Sequence, residues 1–163
     1  MLNKIISQPL GLEKLRSLLP ESSKAVLYES LRHKKRSEVF KNIDSLVVLY
    51  ETKINNKKQG HYIVLLPRAH SISYFSSLGR SPTDEMSSLH QNPSVFKALL
   101  GKGYTYNRKK LQLNDYRVQD CGYFALARCI LSKLKNASFL KVFEPRTLTS
   151  SDEVLANMVL LLA

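Results

Sequence analysis

With 163 residues, 44% of them hydrophobic, the chain is long enough to bury a core without disulfide or metal staples, and no linker-like tract or internal repeat divides it; a single domain spanning residues 1–163 is expected. Twenty-five Lys and Arg against thirteen Asp and Glu give a formal net charge of +12, which favours polyanionic partners over basic ones. No segment is long enough for a membrane span, and the N-terminus Met1-Leu-Asn-Lys-Ile-Ile-Ser lacks a signal-peptide pattern. The expectation is therefore a soluble, intracellular protein with no membrane partner.

In chain order, Pro9 followed by Leu10, Leu12, Leu15, Leu18 and Leu19 predicts a short amphipathic helix that Pro20 ends. Ser22 or Ser23 can cap a second helix with Val26, Leu27 and Leu31 on one face. Leu46 to Tyr50 reads as a strand, Lys53 to Gln59 as a polar connection, and Gly60 to Leu66 as a second strand. Pro67 to His70 is a turn and Ser71 to Phe75 a third strand. Asn92 with Pro93 starts a helix that Gly101 stops. Tyr104 to Leu113 adds an edge strand or loop, and a helix runs from Cys121 to about Lys135. Ser150 with Glu153 forms a capping box for a last helix carrying Val154, Leu155, Met158, Val159 and Leu162.

Chemistry concentrates at Gln119-Asp120-Cys121-Gly122-Tyr123-Phe124 and at His61. Cys121 stands where a polar loop becomes an apolar helix, so unpaired backbone N–H groups and the helix dipole favour its thiolate. His61 opens the run Gly60-His-Tyr-Ile-Val-Leu-Leu, which presents an imidazole at the end of a core strand. A Cys and a His, distant in sequence and each at the edge of a core element, suit nucleophilic catalysis by a cysteine protease. Cys129 belongs to the commoner class of inert buried thiols. It lies eight residues from Cys121 on the same predicted helix, about 12 Å along the axis, too far to bridge. Free thiols fit a reducing compartment. His33, His70 and His90 read as surface residues, Tyr62, Tyr74 and Phe75 as core or cleft wall, and Asp120 as a helix cap or solvent-facing acid. Neither Cys-x-x-Cys nor paired-His spacing occurs, so no metal or cofactor is expected.

Gly60-His61-Tyr62, then a hairpin to Tyr74-Phe75-Ser76-Ser77-Leu78-Gly79, then Gln-Asp-Cys121-Gly122-Tyr-Phe, resembles the adenain-like cysteine proteases. These are the adenovirus maturation protease, its relatives in virophages, Polinton elements and large DNA viruses, and more distantly the SUMO-specific proteases. The resemblance covers roughly residues 45–135. It implies an α+β, papain-like fold, with helices around a small, mostly antiparallel sheet and a central helix bearing the nucleophile. It further implies that Cys121 is the nucleophile and His61 the general base, and that the catalytic acid's place falls on Ser76.

Ser76 departs from the family, because a hydroxyl can orient an imidazole but cannot offset its charge. Three arrangements are open: Ser76 holds His61 by itself, a carboxylate from elsewhere (Asp84, Glu85 or Asp115) fills the gap, or the enzyme is degenerate. The intact motif around Ser76 favours the first. For the oxyanion, the family's amide donor falls nearest Asn114, with Gln112 and Gln119 as neighbours, and the backbone N–H of Cys121 would join it. Gly60, Tyr62, Gln119 and Gly122 flank the pair and are the expected substrate-binding residues.

By resemblance the substrates are viral capsid or core precursors, cut near small residues such as Gly during virion maturation, by a monomer working in the virion or the host cell's virus factory. The basic clusters Lys34-Lys35-Arg36, Lys57-Lys58, Arg108-Lys109-Lys110 and Lys133 with Lys135 suit sequence-independent DNA binding through the phosphate backbone. Two rival readings are a protease for ubiquitin-like modifiers and a non-enzymatic, DNA-binding virion protein.

Overall fold

A computed structural model describes residues 9–54, 57–88, 91–112, 120–144 and 151–162. Five strands form one sheet in the order β1 (Ser23–Leu27), β2 (Ser45–Ile54), β3 (Lys57–Pro67), β4 (Ile72–Ser76) and β5 (Tyr104–Tyr106). The inner pairs β2/β3 and β3/β4 are antiparallel, whereas β1/β2 and β4/β5 are parallel. The sheet is thus mixed, with its antiparallel pairings the longer, within an α+β arrangement.

The inner strands are apolar almost continuously because both faces are covered. Val47, Leu49, Tyr62, Val64, Leu66 and Phe75 turn to one face; Leu46, Val48, Tyr50, Ile63, Leu65 and Tyr74 turn to the other. On the first face pack α1 (Leu12–Leu18), α5 (Cys121–Ile130), α6 (Asn136–Val142) and α7 (Ser151–Leu162), through Leu15, Phe124, Phe139 and Leu155. On the second pack α3 (Pro82–Ser88) and α4 (Ser94–Leu100), through Met86, Phe96 and Leu99, with a 3-10 turn at Tyr28–Leu31. A four-residue helix α2 (Arg36–Val39) precedes β2. Among the described residues no helix is long and apolar enough to cross a membrane.

Several expectations change. The stretch from Ser23 is a strand, not a helix: β1 pairs with β2 from Ser23↔Ser45 to Leu27↔Leu49, and the two serine hydroxyls meet at 2.7 Å. Sheet pairing outweighs a local pattern that serves either period. β2 and β3 run on through most of the predicted polar connection, as far as Ile54 and from Lys57. The Cys121 helix stops at Ile130. Arg128, fully buried, donates to the carbonyls of Leu131 and Leu134 at 2.8 Å each and stacks 4.9 Å from the Phe139 ring centroid. It thereby satisfies C-terminal carbonyls that a longer helix would have used, and α6 follows. The helix between Asn92 and Gly101 is present as α4. The last helix is present as α7; Ser150, its expected cap, lies outside the described residues.

Three helices were not expected, α2, α3 and α6. α3 begins where Ser81 precedes Pro82: the Ser81 hydroxyl accepts the Asp84 N–H at 3.2 Å and donates to the Asp84 carboxylate at 2.5 Å. This is a reciprocal cap, with proline at the first helical position.

Candidate active site

β3 is longer than β4 on one side. β4 pairs with β3 only between Ile63↔Ser76 and Pro67↔Ile72, whereas β2 follows β3 down to Lys57. His61 therefore lies on β3 just beyond the end of β4, and Ser76 is the last residue of β4. The strand alternation places His61 and Ser76 on the face of Ile63, Leu65 and Tyr74, the face that α3 covers.

From that face Glu85 enters. It is fully buried, and its Oε1 lies 2.9 Å from His61 Nε2. The Ser76 hydroxyl donates to the same Oε1 at 2.7 Å, lies 3.1 Å from His61 Nε2, and accepts the Leu78 N–H at 3.2 Å. The Tyr74 hydroxyl donates to the other carboxylate oxygen. Ser76 consequently does not hold the imidazole by itself. The carboxylate comes from Glu85, on a helix rather than a strand, and the serine bridges it to the ring.

On the other side of the ring stands Cys121, the first residue of α5, partly exposed and hydrogen-bonded to His61. With Nε2 committed to Glu85 and Ser76, Nδ1 is the nitrogen left for the thiol. Backbone N–H groups of Tyr62 and Gly122 also point to the sulfur.

The electrostatics agree with the geometry. Burial opposes charge on all three groups, and their hydrogen bonds and mutual attraction overcome it. His61 is raised from 6.5 to about 10: burial alone would lower it, but the bonds to Cys121 and Glu85 prevail. Glu85 and Cys121 are both held below their ordinary values against burial, chiefly by His61. Burial drives the Tyr74 phenol well up, so it remains a donor. All three shifts run in the direction that favours a thiolate–imidazolium pair braced by a carboxylate.

The flanking residues divide. Gly60 is exposed at the rim. Tyr62 is buried and donates to the Leu10 carbonyl at 2.9 Å, so it ties β3 to the N-terminal segment instead of facing a substrate. Gly122 is there for packing: a Cβ would lie 2.9 Å from Leu10 Cβ and 3.3 Å from the Tyr62 ring. Asp120 is fully buried and makes no side-chain cap to α5, contrary to both roles expected of it. Cys129 is buried, with its thiol pushed up to about 11 by desolvation. His33 and His70 are exposed. Asn114, Asp115, Gln119 and His90 lie outside the described residues.

Of the basic clusters, Lys34, Lys35, Arg36, Arg108, Lys109 and Lys110 are all exposed. Lys109 pairs with Glu144 at 3.3 Å, and Lys133 with Asp44 at 2.8 Å. The side chains of Lys57 and Lys58 are outside the description.

Sequence reasoning assigned no role to Tyr74 beyond the core and none to Asn107, whose amide grips the Ser76 backbone. Glu85 stood among three candidate acids. The cap signature Ser81-Pro82-Thr83-Asp84 was the available signal that a helix would carry it. No protein-family model matches the chain, and no curated protein sequence matches it.

Proposed function

We propose that the chain is a papain-like cysteine endopeptidase of the adenain type, with Cys121 as nucleophile, His61 as general acid and base, and Glu85 as the acid that holds His61. The observation that carries this reading is the buried contact of 2.9 Å between His61 Nε2 and Glu85 Oε1, opposite the ring's hydrogen bond to Cys121. It supplies the carboxylate that the residue at position 76 lacks.

In the reaction the Cys121 thiolate adds to the scissile carbonyl carbon, and the carbonyl oxygen becomes an oxyanion that the Cys121 N–H can receive. Collapse expels the amine, which takes the proton from the His61 imidazolium and leaves a thioester on Cys121. Neutral His61 then accepts a proton from water as the hydroxide adds. The second collapse releases the acid and restores the thiolate. Glu85 stays ionised throughout and fixes the ring.

The rim of β3 suggests how a substrate lies. The Tyr62 N–H points to Cys121, so Gly60, two residues back, turns its backbone groups to the same edge, where β4 no longer pairs. An extended peptide can hydrogen-bond there. By family resemblance the substrates are viral capsid or core precursors with Gly near the scissile bond, processed during virion maturation. The exposed basic residues suit sequence-independent contact with DNA.

The test is cleavage of Gly-containing extended peptides and of ubiquitin-like-modifier fusions by the wild-type protein and by Cys121→Ala and His61→Ala. Cleavage of the peptides is expected, with losses of about 10³-fold or more in either variant. Preference for the folded fusions would transfer the substrate class to modifier proteases. Activity that survives in Cys121→Ala would end the proposal.

A further inference from the structure

Asn107, 2% exposed, follows directly on β5. Its Oδ1 accepts the Ser76 N–H at 2.9 Å, and its Nδ2 donates to the Ser76 carbonyl at 2.6 Å and the Lys109 carbonyl at 3.1 Å. One side-chain amide thus satisfies both backbone groups of one residue. It does so where the β4/β5 ladder, whose last pair is Tyr74↔Tyr106, has run out.

The rest of the segment 107–112 lies on the same turn. The Ser77 carbonyl accepts the N–H groups of Leu111 at 2.8 Å and Gln112 at 3.1 Å, and the Ser77 hydroxyl donates to the Gln112 side chain at 2.8 Å. At Gly79 (φ +67°) a Cβ would lie 2.7 Å from the Lys109 carbonyl carbon, so glycine is needed for both conformation and approach.

A carboxylate borne by β4 would be held by the strand's own ladder. Glu85 arrives instead on a separate, short helix, and one of its links to the sheet is the Ser76 hydroxyl. Whatever immobilises Ser76 therefore also fixes the point where carboxylate and imidazole meet. We propose that Asn107 is a positioning residue of the Cys121–His61–Glu85 relay, acting by clamping the backbone of Ser76 so that its hydroxyl bridges His61 and Glu85. This rests on the protease reading for its consequence in catalysis, although not for its effect on the thiol.

The test compares wild type, Asn107→Ala, Ser76→Ala and the double variant, with folding checked by circular dichroism. Two quantities are read: kcat/KM on a cleaved peptide, and the pH profile of iodoacetamide alkylation, followed at Cys121 by peptide mass. Each single variant should alkylate about three- to tenfold more slowly at about pH 6, the worth of one ordinary hydrogen bond. The double variant should match Ser76→Ala within about twofold, because both changes break one link.

An Asn107→Ala profile that superimposes on wild type overturns the clamp, as do losses that multiply in the double variant. Should Asn107→Ala fail to fold, Asn107→Ser, which adds no charge and is too short to grip both backbone groups of Ser76, takes its place in the same comparison. Rapid wild-type alkylation at about pH 6 with neither peptide nor modifier fusion cleaved overturns the protease reading alone, and the clamp is then judged on the four alkylation profiles.

Discussion

Cys121 and Glu85 reach the same imidazole from opposite faces of the sheet, and they are held there by different physics. Cys121 rides on a ten-residue helix with Gly122, Phe124, Ala125, Leu126, Ala127, Arg128 and Cys129 all buried. Its position is a consequence of packing. Glu85 rides on a seven-residue helix that buries Pro82, Glu85 and Met86, and its carboxylate is placed by Tyr74, Ser76 and His61. Packing spreads a perturbation over many small contacts, whereas a hydrogen-bonded carboxylate loses its aim when one donor goes. Changes on the nucleophile side should therefore show first as lost stability, and changes on the acid side first as lost reactivity.

Glu85→Gln should give the largest effect on the acid side, lowering kcat/KM about 10- to 100-fold. The direction of its pH dependence follows from the shifts. His61 is raised to about 10 with help from Glu85, and Cys121 is lowered because His61 is charged. Loss of the carboxylate charge weakens the imidazolium, so the alkaline limb of kcat/KM, where the proton donor for the leaving amine is lost, should move to lower pH, and the acid limb of alkylation, where the thiolate is lost, should move to higher pH. The reactive window narrows from both ends. In the same way the stability owed to charged His61 is complete below its unfolded value of 6.5 and lost as pH rises towards about 10; that owed to Glu85 is present above 4.5 and lost in acid. Ser76→Asp added to Glu85→Gln should restore part of the window, because position 76 already lies 3.1 Å from Nε2. An unchanged window in Glu85→Gln would remove Glu85 from the relay.

On the nucleophile side, Gly122→Ala should cost about 1–3 kcal/mol in urea unfolding, because the new methyl meets Leu10 and the Tyr62 ring at sub-contact distance. If stability holds while alkylation collapses, the division between packing and hydrogen bonding is wrong at this site. The smallest effect belongs to Tyr74→Phe, which removes one donor to Glu85. Alkylation should slow about two- to fivefold, and the stability loss should be about 0.5–1.5 kcal/mol. A loss in stability larger than that of Gly122→Ala would invert the comparison.

The two ends of the relay differed in legibility for the same reason. Cys121 could be placed at a helix start from its neighbours alone, because the change from polar loop to apolar run is local, and α5 does begin there. His61 could be placed on a strand by the density of apolar residues after it, and β3 carries it. Glu85 could be named only as one of several acids. Its selection depends on α3 lying against the face to which His61 and Ser76 turn, and that face is set by strand parity across β3 and β4. Strand β1 makes the same point: Val26, Leu27 and Leu31 suit a helix as well as a strand until β2 offers its edge.

By itself, then, the sequence determined that Cys121 opens a helix and that His61 lies on a strand, because turns, caps and apolar runs act over a few residues. Tertiary structure decided which carboxylate reaches His61 and how Ser76 and Asn107 are joined beside it. Those contacts join residues from both faces and one edge of the sheet, and no local pattern encodes a distance across it.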